Sequence, residues 1–363
     1  MVDLKRMRIG IDVRKIDDTG IGRYIENLVE NLLTLDEENE YVLFSSPEGL
    51  AKYNFPTGRV VEVIEASKKY SVSEHFTIPR KASKHQIDLF HSPHYVLPYF
   101  ITQPSVVTIH DIIHLKDRTV GKFAKNYAHV MIGNAVRKSR RVLTVSQTTK
   151  NDLESYFNID PVKIKVIHNG GGSDFHPTDT KELIAILEQM SIFVPYFLYV
   201  GSDRPHKNIN AIASVMKHLD DKARFVIVGR VSEVVKQRFA KFGDNVLFFD
   251  NLGKPEMTAL YTGASALLFP SYLEGFGLPP LEAMACNTPV VCSNRSCLPE
   301  IVGNASVLVD PDDHKTQAKE LVRLVTNKPN RRRYVKLGQE RVKLFSWLNT
   351  AKATMQCYKE AVQ

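Results

Sequence analysis

The stretch Phe269–Glu282, FPSYLEGFGLPPLE, ends one element and opens another. The run ALLFP up to Pro270 is short and wholly apolar, as expected of a strand buried on both faces of a parallel sheet. Gly275 and Gly277 then punctuate a loop, and Pro279 and Pro280 open a helix. Proline suits a first helical turn because its missing N–H would have no intrahelical partner there. A strand–loop–helix unit leaves its loop at the carboxyl end of the strand, where open α/β sheets bind ligands. The amides of that first turn, with those of Gly275 and Gly277, are expected to form an anion site. Glu274 in the loop and Glu282, expected in the first helical turn, do not favour phosphate. They suit paired hydrogen bonds to diols, a sugar ring for one and a ribose for the other.

The same alternation extends in both directions. Later in the chain, Tyr196–Val200, Phe225–Val228, Val246–Phe249, Val290–Val291 and Val307–Val309 read as strands beside Ala266–Phe269. Earlier, Met7–Val13, Tyr41–Phe44, Val60–Ile64, Val106–Ile109, Val142–Val145 and Lys163–Ile167 do. Amphipathic segments such as GRYIENLVENLL (22–33) lie between several of them. Between the two series runs HNGGGSDFHPTDTK (168–181), rich in glycine and short polar residues, which reads as a linker with Asn169 and Gly170 as hinge residues. The expected organisation is a Rossmann-like α/β domain over 1–172, a second over 173–345, and a final helix over 346–363. Both sets of carboxyl strand ends are expected to face a common cleft.

Composition bounds the function. The chain has 363 residues, 43% apolar and 24% charged, with a net charge of +8. That excludes a disordered chain and points to an anionic partner. No apolar run nears the roughly 20 residues that span a bilayer. The start, MVDLKRMRIGIDV, shows no leader-like apolar region; a cytoplasmic protein is expected, peripheral at most. Basic clusters at Lys68, Lys69, Arg80, Lys81, Lys84 and over Lys116–Arg141 read as solvated helix faces first and as contacts to an anionic membrane surface second, and they lack the aromatic interleaving of nucleic-acid binders. Cys286, Cys292, Cys297 and Cys357 fit no zinc spacing and read as buried apolar residues.

Further candidates recur at strand ends. YVGSDRPHKNI (199–209) brings Gly201, Arg204 and Lys207 to a helix start, where a fork and a point charge suit an anion. TGIGRYIENLV (19–29) brings Gly20 and Gly22 to another, allowing close backbone approach to phosphate or sugar. It lacks the third glycine and the later acidic residue of a dinucleotide fingerprint, which argues against a dehydrogenase. His110 and Asp111 end the strand in VVTIHDIIHL (106–115). His91 and His94 in DLFHSPHYVLP (88–98) are read as lying in loops. Ser146 and Lys150 in VLTVSQTTKNDL (142–153) read as helix-start residues, and Glu300 in SCLPEIVGNASVLVDP (296–311) as a local anchor.

These seven segments in order, with Glu274 and Glu282 spaced E-x7-E, closely resemble the retaining GT-B glycosyltransferases, the large bacterial family of mannosyl- and glucosyltransferase-like enzymes. The resemblance covers essentially the whole chain. It implies two facing Rossmann-like α/β/α domains, with the C-terminal helix crossing back to the first. It implies a nucleotide diphospho-sugar donor, a glycan or lipid-linked glycan acceptor, and transfer with retention in surface polysaccharide synthesis. On its terms His110, Glu274, Arg204 and Lys207 are catalytic. Gly20, Gly22, Gly201, Gly275, Phe276, Gly277, Leu278 and Glu282 bind the donor, while His91, His94 and Asp111 face the acceptor. No metal or cofactor is expected, the basic pair replacing a divalent cation. Many members carry their arginine nearer the loop start, where this chain has Ser202 and Asp203, so Arg204 is the nearest base. GDP-mannose is the preferred donor. UDP-glucose, UDP-N-acetylglucosamine, GDP-fucose and dTDP-rhamnose are alternatives, as is a nucleotide-sugar epimerase or hydrolase on the same fold.

Overall fold

The computed structural model describes residues 6–49, 53, 55, 57–172 and 174–363. Residues 1–5 of the segment MVDLKRMRIGIDV and Ser173 of the expected linker lie outside them. The chain divides into two compact units, one taking the chain up to Gly170 and again from Trp347, the other Gly171–Ser346.

The first unit is a seven-stranded parallel sheet. Its strands are β1 (Arg8–Asp12), β2 (Glu40–Ser45), β3 (Val60–Ile64), β4 (Leu89–Ser92), β5 (Ser105–Ile109), β6 (Arg141–Thr144) and β7 (Ile164–Val166), in the order β3-β2-β1-β4-β5-β6-β7. Alternate residues feed opposite faces. Ile9, Ile11, Leu89 and Val106 pack with the helices Thr19–Leu35 and Trp347–Val362. Phe44, Phe90, Val107 and Val142 pack with the helices Glu74–Lys84, Lys122–Lys138 and Gln147–Phe157. Trp347 sits 6.1 Å from the Tyr24 ring in the first of these cores. A Cβ on Gly170 would come within 2.3 Å of Trp347 Cγ, so only glycine admits that indole.

β4 is the strand the sequence reading left out. It occupies the centre of the sheet, with Ile11 beside His91 across β1 and His91 beside Val106 across β5. Two polar residues in a four-residue strand erase the apolar run that marks its neighbours.

The second unit repeats the plan with six parallel strands, β8 (Phe197–Val200), β9 (Phe225–Val228), β10 (Val246–Phe249), β11 (Ala266–Phe269), β12 (Val290–Ser293) and β13 (Val307–Val309), in the order β10-β9-β8-β11-β12-β13. All six were expected. In each sheet the strand order reverses once, between β1 and β4 and between β8 and β11. Crossover connections leave in opposite directions at those points and open a crevice beyond the carboxyl ends.

Candidate active site

At the β8/β11 reversal the residues after each strand meet. Pro205–Lys207 forms a single tight turn, and Asn208 ends it at φ +52°, a left-handed conformation that asparagine tolerates. Asn208 Nδ2 donates to Pro270 O (3.2 Å) after β11 and to Pro311 O (3.1 Å) after β13, tying three strand ends together. The turn holds Lys207 so that Nζ donates to both carboxylate oxygens of Glu274, each at 2.8 Å. The same ammonium stands 5.8 Å above the Phe269 ring. Arg204, just before the turn, is exposed, and its guanidinium makes no ion pair among the described residues.

The Glu274 loop is fixed from the next strand. Ser296 Oγ donates to Glu274 O (2.9 Å), and Cys297 Sγ donates to Glu274 O and Phe276 O, both at 3.2 Å. Burial pushes the Cys297 thiol well above its ordinary range, so it stays a weak donor and an unreactive one. Gly277 sits at φ +102°, and a Cβ there would meet Leu298 Cδ2 at 2.8 Å. Phe276 is buried edge-on to Phe345, with ring centroids 5.7 Å apart.

Two expectations change here. The helix runs Leu278–Ala285, so Pro279 and Pro280 occupy two of its first three positions. They withhold two of the amides that were to bind an anion, leaving those of Gly275, Gly277 and Leu278. Glu282 consequently lies past the first turn. It is only 3% exposed, and its carboxylate accepts a 2.6 Å hydrogen bond from the Tyr261 hydroxyl. It braces the interior of the unit in this placement, instead of standing open as a ribose ligand.

Asp310 and Asp312, remote in sequence from the donor segments, lie close to them in space. Arg295 Nη2 pairs with Asp310 (3.0 Å) and Asp312 (2.9 Å), and Asp312 accepts from the Tyr272 hydroxyl (2.5 Å). Burial and that carboxylate push Tyr272 up to about 12. Among the described residues, no group of three or more His, Cys, Asp or Glu side chains could hold a metal ion.

In the first unit, alternation along β4 turns His91 toward the Trp347–Val362 helix. It is fully buried, with Nδ1 2.6 Å from the Tyr358 hydroxyl and Nε2 2.8 Å from Thr108 Oγ1, which also meets the Tyr24 hydroxyl (3.0 Å). Both ring nitrogens are engaged inside the core, which corrects the expectation that His91 faces an acceptor. Tyr358→Phe is expected to strand Nδ1 and to cost about 1–3 kcal/mol, measured as a lower urea midpoint.

Burial also holds the His91 pKa down at about 3, against an ordinary 6.5. The folded chain therefore binds fewer protons than the unfolded chain between those values. This contribution to stability is complete above the ordinary pKa and is lost as pH falls toward the folded one, by up to about 1.4 kcal/mol per pH unit. His94 and His110, also lowered chiefly by burial, act in the same direction. Melting midpoints should fall from neutral to acid pH, and His91→Gln should flatten that dependence.

His110 Nε2 lies 3.0 Å from Pro93 O, so it carries the proton and Nδ1 is the ring's acceptor. Asp111 Oδ1 accepts from Ile113 N (2.9 Å) in a local turn. Gly20 faces open space, whereas a Cβ on Gly22 would lie 2.1 Å from Ile16 O. The close approach at Gly22 is thus to the chain's own backbone.

The sequence pattern described as Glycosyltransferase Family 4 matches residues 19–170, and that described as Glycosyl transferases group 1 matches residues 194–341. In fold the chain resembles Anabaena Alr3699/HepE, solved in complex with UDP-glucose, at TM-score 0.82 over 98% of this chain and 100% of that one, with 15% identity. The chain is a GT-B glycosyltransferase.

This transferase is 28% identical to O-antigen chain mannosyltransferase B of Escherichia coli over 94% of its own length and 96% of that protein's. It is 35% identical to O-antigen chain mannosyltransferase RfbU of Salmonella typhimurium over 61% of each. The side chains that shape its Lys207–Glu274 site and that sequence reasoning missed are Asn208, Tyr272, Ser296 and Cys297. A signal existed for Asn208, since an asparagine between a single turn and a new helix marks a left-handed residue.

Proposed function

We propose that this glycosyltransferase moves a hexose, with mannose from GDP-mannose as the preferred donor, to a hydroxyl of a glycan or lipid-linked glycan in surface polysaccharide synthesis, retaining the anomeric configuration. The observation that carries the reading is the Lys207–Glu274 pair at the β8/β11 reversal, with exposed Arg204 beside it. The two mannosyltransferase relatives support the choice of sugar.

In this mechanism the anomeric carbon gains oxocarbenium character as negative charge builds on the leaving diphosphate. Lys207, Arg204 and the Gly277 and Leu278 amides meet that charge, in place of a divalent cation. Glu274, released from Lys207, accepts from sugar hydroxyls. The leaving phosphate takes the acceptor proton on the same face. The first unit receives the acceptor, through His94 and Asp111, and supplies His110 as the catalytic histidine.

Contact with an anionic membrane belongs to the same reading. Val72, Phe76, Phe100 and Phe123 are exposed on the first unit, Phe123 by 92%, and the Phe76 and Phe100 rings lie 4.6 Å apart. Part of the expected basic surface is neutralised, since Lys69 pairs with Asp18, Lys81 with Glu65 and Lys116 with Asp152. Among the described residues no helix is long and apolar enough to cross a membrane.

The test incubates the purified protein with each nucleotide sugar, a mannose-terminated oligosaccharide and a chelator, and reads the product by NMR. Acceptor-dependent nucleoside diphosphate release with an axial, retained linkage is expected. Donor turnover at the same rate without acceptor would favour a hydrolase or epimerase instead.

A further inference from the structure

The chain's positive charge is concentrated on one surface of the second unit. Residues 315–336 hold eight Lys and Arg against one acidic residue, Glu320, so seven of the eight net charges lie in 22 residues. They fall on two consecutive helices, His314–Thr326 and Lys328–Val342. Ala318, Leu321 and Leu324 of the first pack into the core of the unit. Gly338 of the second packs on Met284, where a Cβ would come within 3.0 Å of Cγ. The opposite faces are left to solvent. Lys319, Lys328, Arg332, Arg333 and Lys336 are all exposed, and Arg323 Nη2 links the two helices through Asn330 Oδ1 at 3.2 Å.

The fold does not neutralise this charge. Glu320 is held by Arg323 at 3.2 Å, and Glu340, the next acid along the second helix, pairs with Lys343 at 2.7 Å. Among the described residues, Lys319, Lys328, Arg332, Arg333 and Lys336 form no ion pair. Their spacing works against the helices. Lys328, Arg332 and Lys336 recur four apart, as do Lys315 and Lys319, and like charges at that spacing repel. The second helix also opens with Lys328 and no acid in its first turn, the end at which its dipole favours anions. Acids at these positions would suit the fold better, and an external anionic partner relieves both repulsions.

That partner is broad. Lys328 to Lys336 alone rise about 12 Å along their helix, and Lys319 stands on the neighbouring one, so the charge suits a plane of anions better than a single phosphate. Val322 and Val325, 43% and 41% exposed, lie among the cations and offer apolar contact at a headgroup boundary. Tyr334, the one aromatic residue of this stretch, packs against the core, which leaves no ring for the base stacking of a nucleic-acid groove. A second copy of the chain would bring like charge.

We infer that the exposed face of the helices His314–Thr326 and Lys328–Val342 docks the second unit on the anionic surface of a phospholipid bilayer. The inference goes beyond the contact proposed for the first unit and does not depend on it. Its test is flotation of the full-length protein with vesicles of phosphatidylcholine alone and of phosphatidylcholine mixed equally with phosphatidylglycerol. Binding to the mixed vesicles only is expected, and its loss at about 1 M salt, where the screening length falls to roughly 3 Å. Lys319→Gln, Lys328→Gln, Arg332→Gln and Lys336→Gln together should weaken binding about fivefold per charge, at least about a hundredfold in all. Sugar transfer to a soluble oligosaccharide should be unchanged. Arg332→Gln with Lys336→Gln, expected to cost about 25-fold, carries the test if the fourfold variant fails to fold. The inference is overturned if the wild type ignores the mixed vesicles, if high salt leaves its binding intact, or if the folded variants float as the wild type does. It is overturned too if the four cations govern binding to duplex DNA or polyglutamate and leave vesicle binding intact. Vesicle binding lost in Phe76→Ser and Phe123→Ser but kept in the Gln variants returns the contact to the first unit. Absence of sugar transfer by the wild type strikes the proposed reaction instead, and the flotation is read without it.

Discussion

Lys207→Ala is expected to lower the rate of sugar transfer about 100- to 1,000-fold, the scale on which a preorganised donor to a developing anion acts. The β8/β11 crevice both supplies Lys207 and holds it in place, through the Pro205–Lys207 turn and the Asn208 anchor. Arg204 has no such support. Glu274→Gln separates two functions that the wild type couples. In the present arrangement Glu274 neutralises Lys207 with both oxygens. Removing that charge frees the ammonium, so the nucleoside diphosphate should bind several-fold tighter while transfer is lost. Lys207→Ala should lose both. Titration calorimetry with GDP and UDP, beside the transfer rate, measures the split. The melting midpoint of Lys207→Ala must be checked too, because Glu274 is mostly buried and would be left as an uncompensated charge.

Gly22→Ala is expected to be the most damaging small change outside that site. The added methyl would lie 2.1 Å from Ile16 O and 2.8 Å from Ile16 C, both backbone atoms with no rotamer to escape into. Gly22 N also closes a turn of the Thr19–Leu35 helix on Asp18 O at 2.7 Å, so the turn cannot simply open. That helix packs Tyr24, Ile25, Leu28 and Leu32 into the first core, so a displaced start is felt throughout it. A loss of about 3 kcal/mol or more is expected by urea unfolding. Gly20→Ala, where a Cβ meets nothing within 4 Å, should be nearly neutral for stability.

Much of the architecture was legible because parallel strands are plain apolar runs. The six strands of the second unit show it, and β4 shows the limit. Leu89–Ser92 is a central strand disguised by His91 and Ser92, whose polarity is absorbed by partners distant in sequence: Tyr358, Thr108 and the backbone at His94 and Val96. No local pattern announces a bond between residues 91 and 358. The same holds at the site. Lys207 and Glu274 were readable as chemistry at strand ends, but their direct pairing depends on the β8/β11 adjacency. Glu282 was expected in the first helical turn and lies past it, where its carboxylate meets Tyr261, a partner that its distance from Glu274 does not announce. Asp310 and Asp312 looked remote along the chain, yet β13 lies two strands from β11 and delivers their loop to Asn208 and Tyr272.

The central claim is that Lys207 meets the diphosphate of a nucleotide sugar. The most direct test follows the melting midpoint of the wild type and of Lys207→Ala with GDP-mannose, UDP-glucose and the other candidate donors. At about 100 times the dissociation constant a true donor stabilises the fold by roughly 2.7 kcal/mol. One nucleotide sugar should raise the wild-type midpoint accordingly and leave Lys207→Ala essentially unmoved. Equal stabilisation of both proteins by that donor would contradict the account.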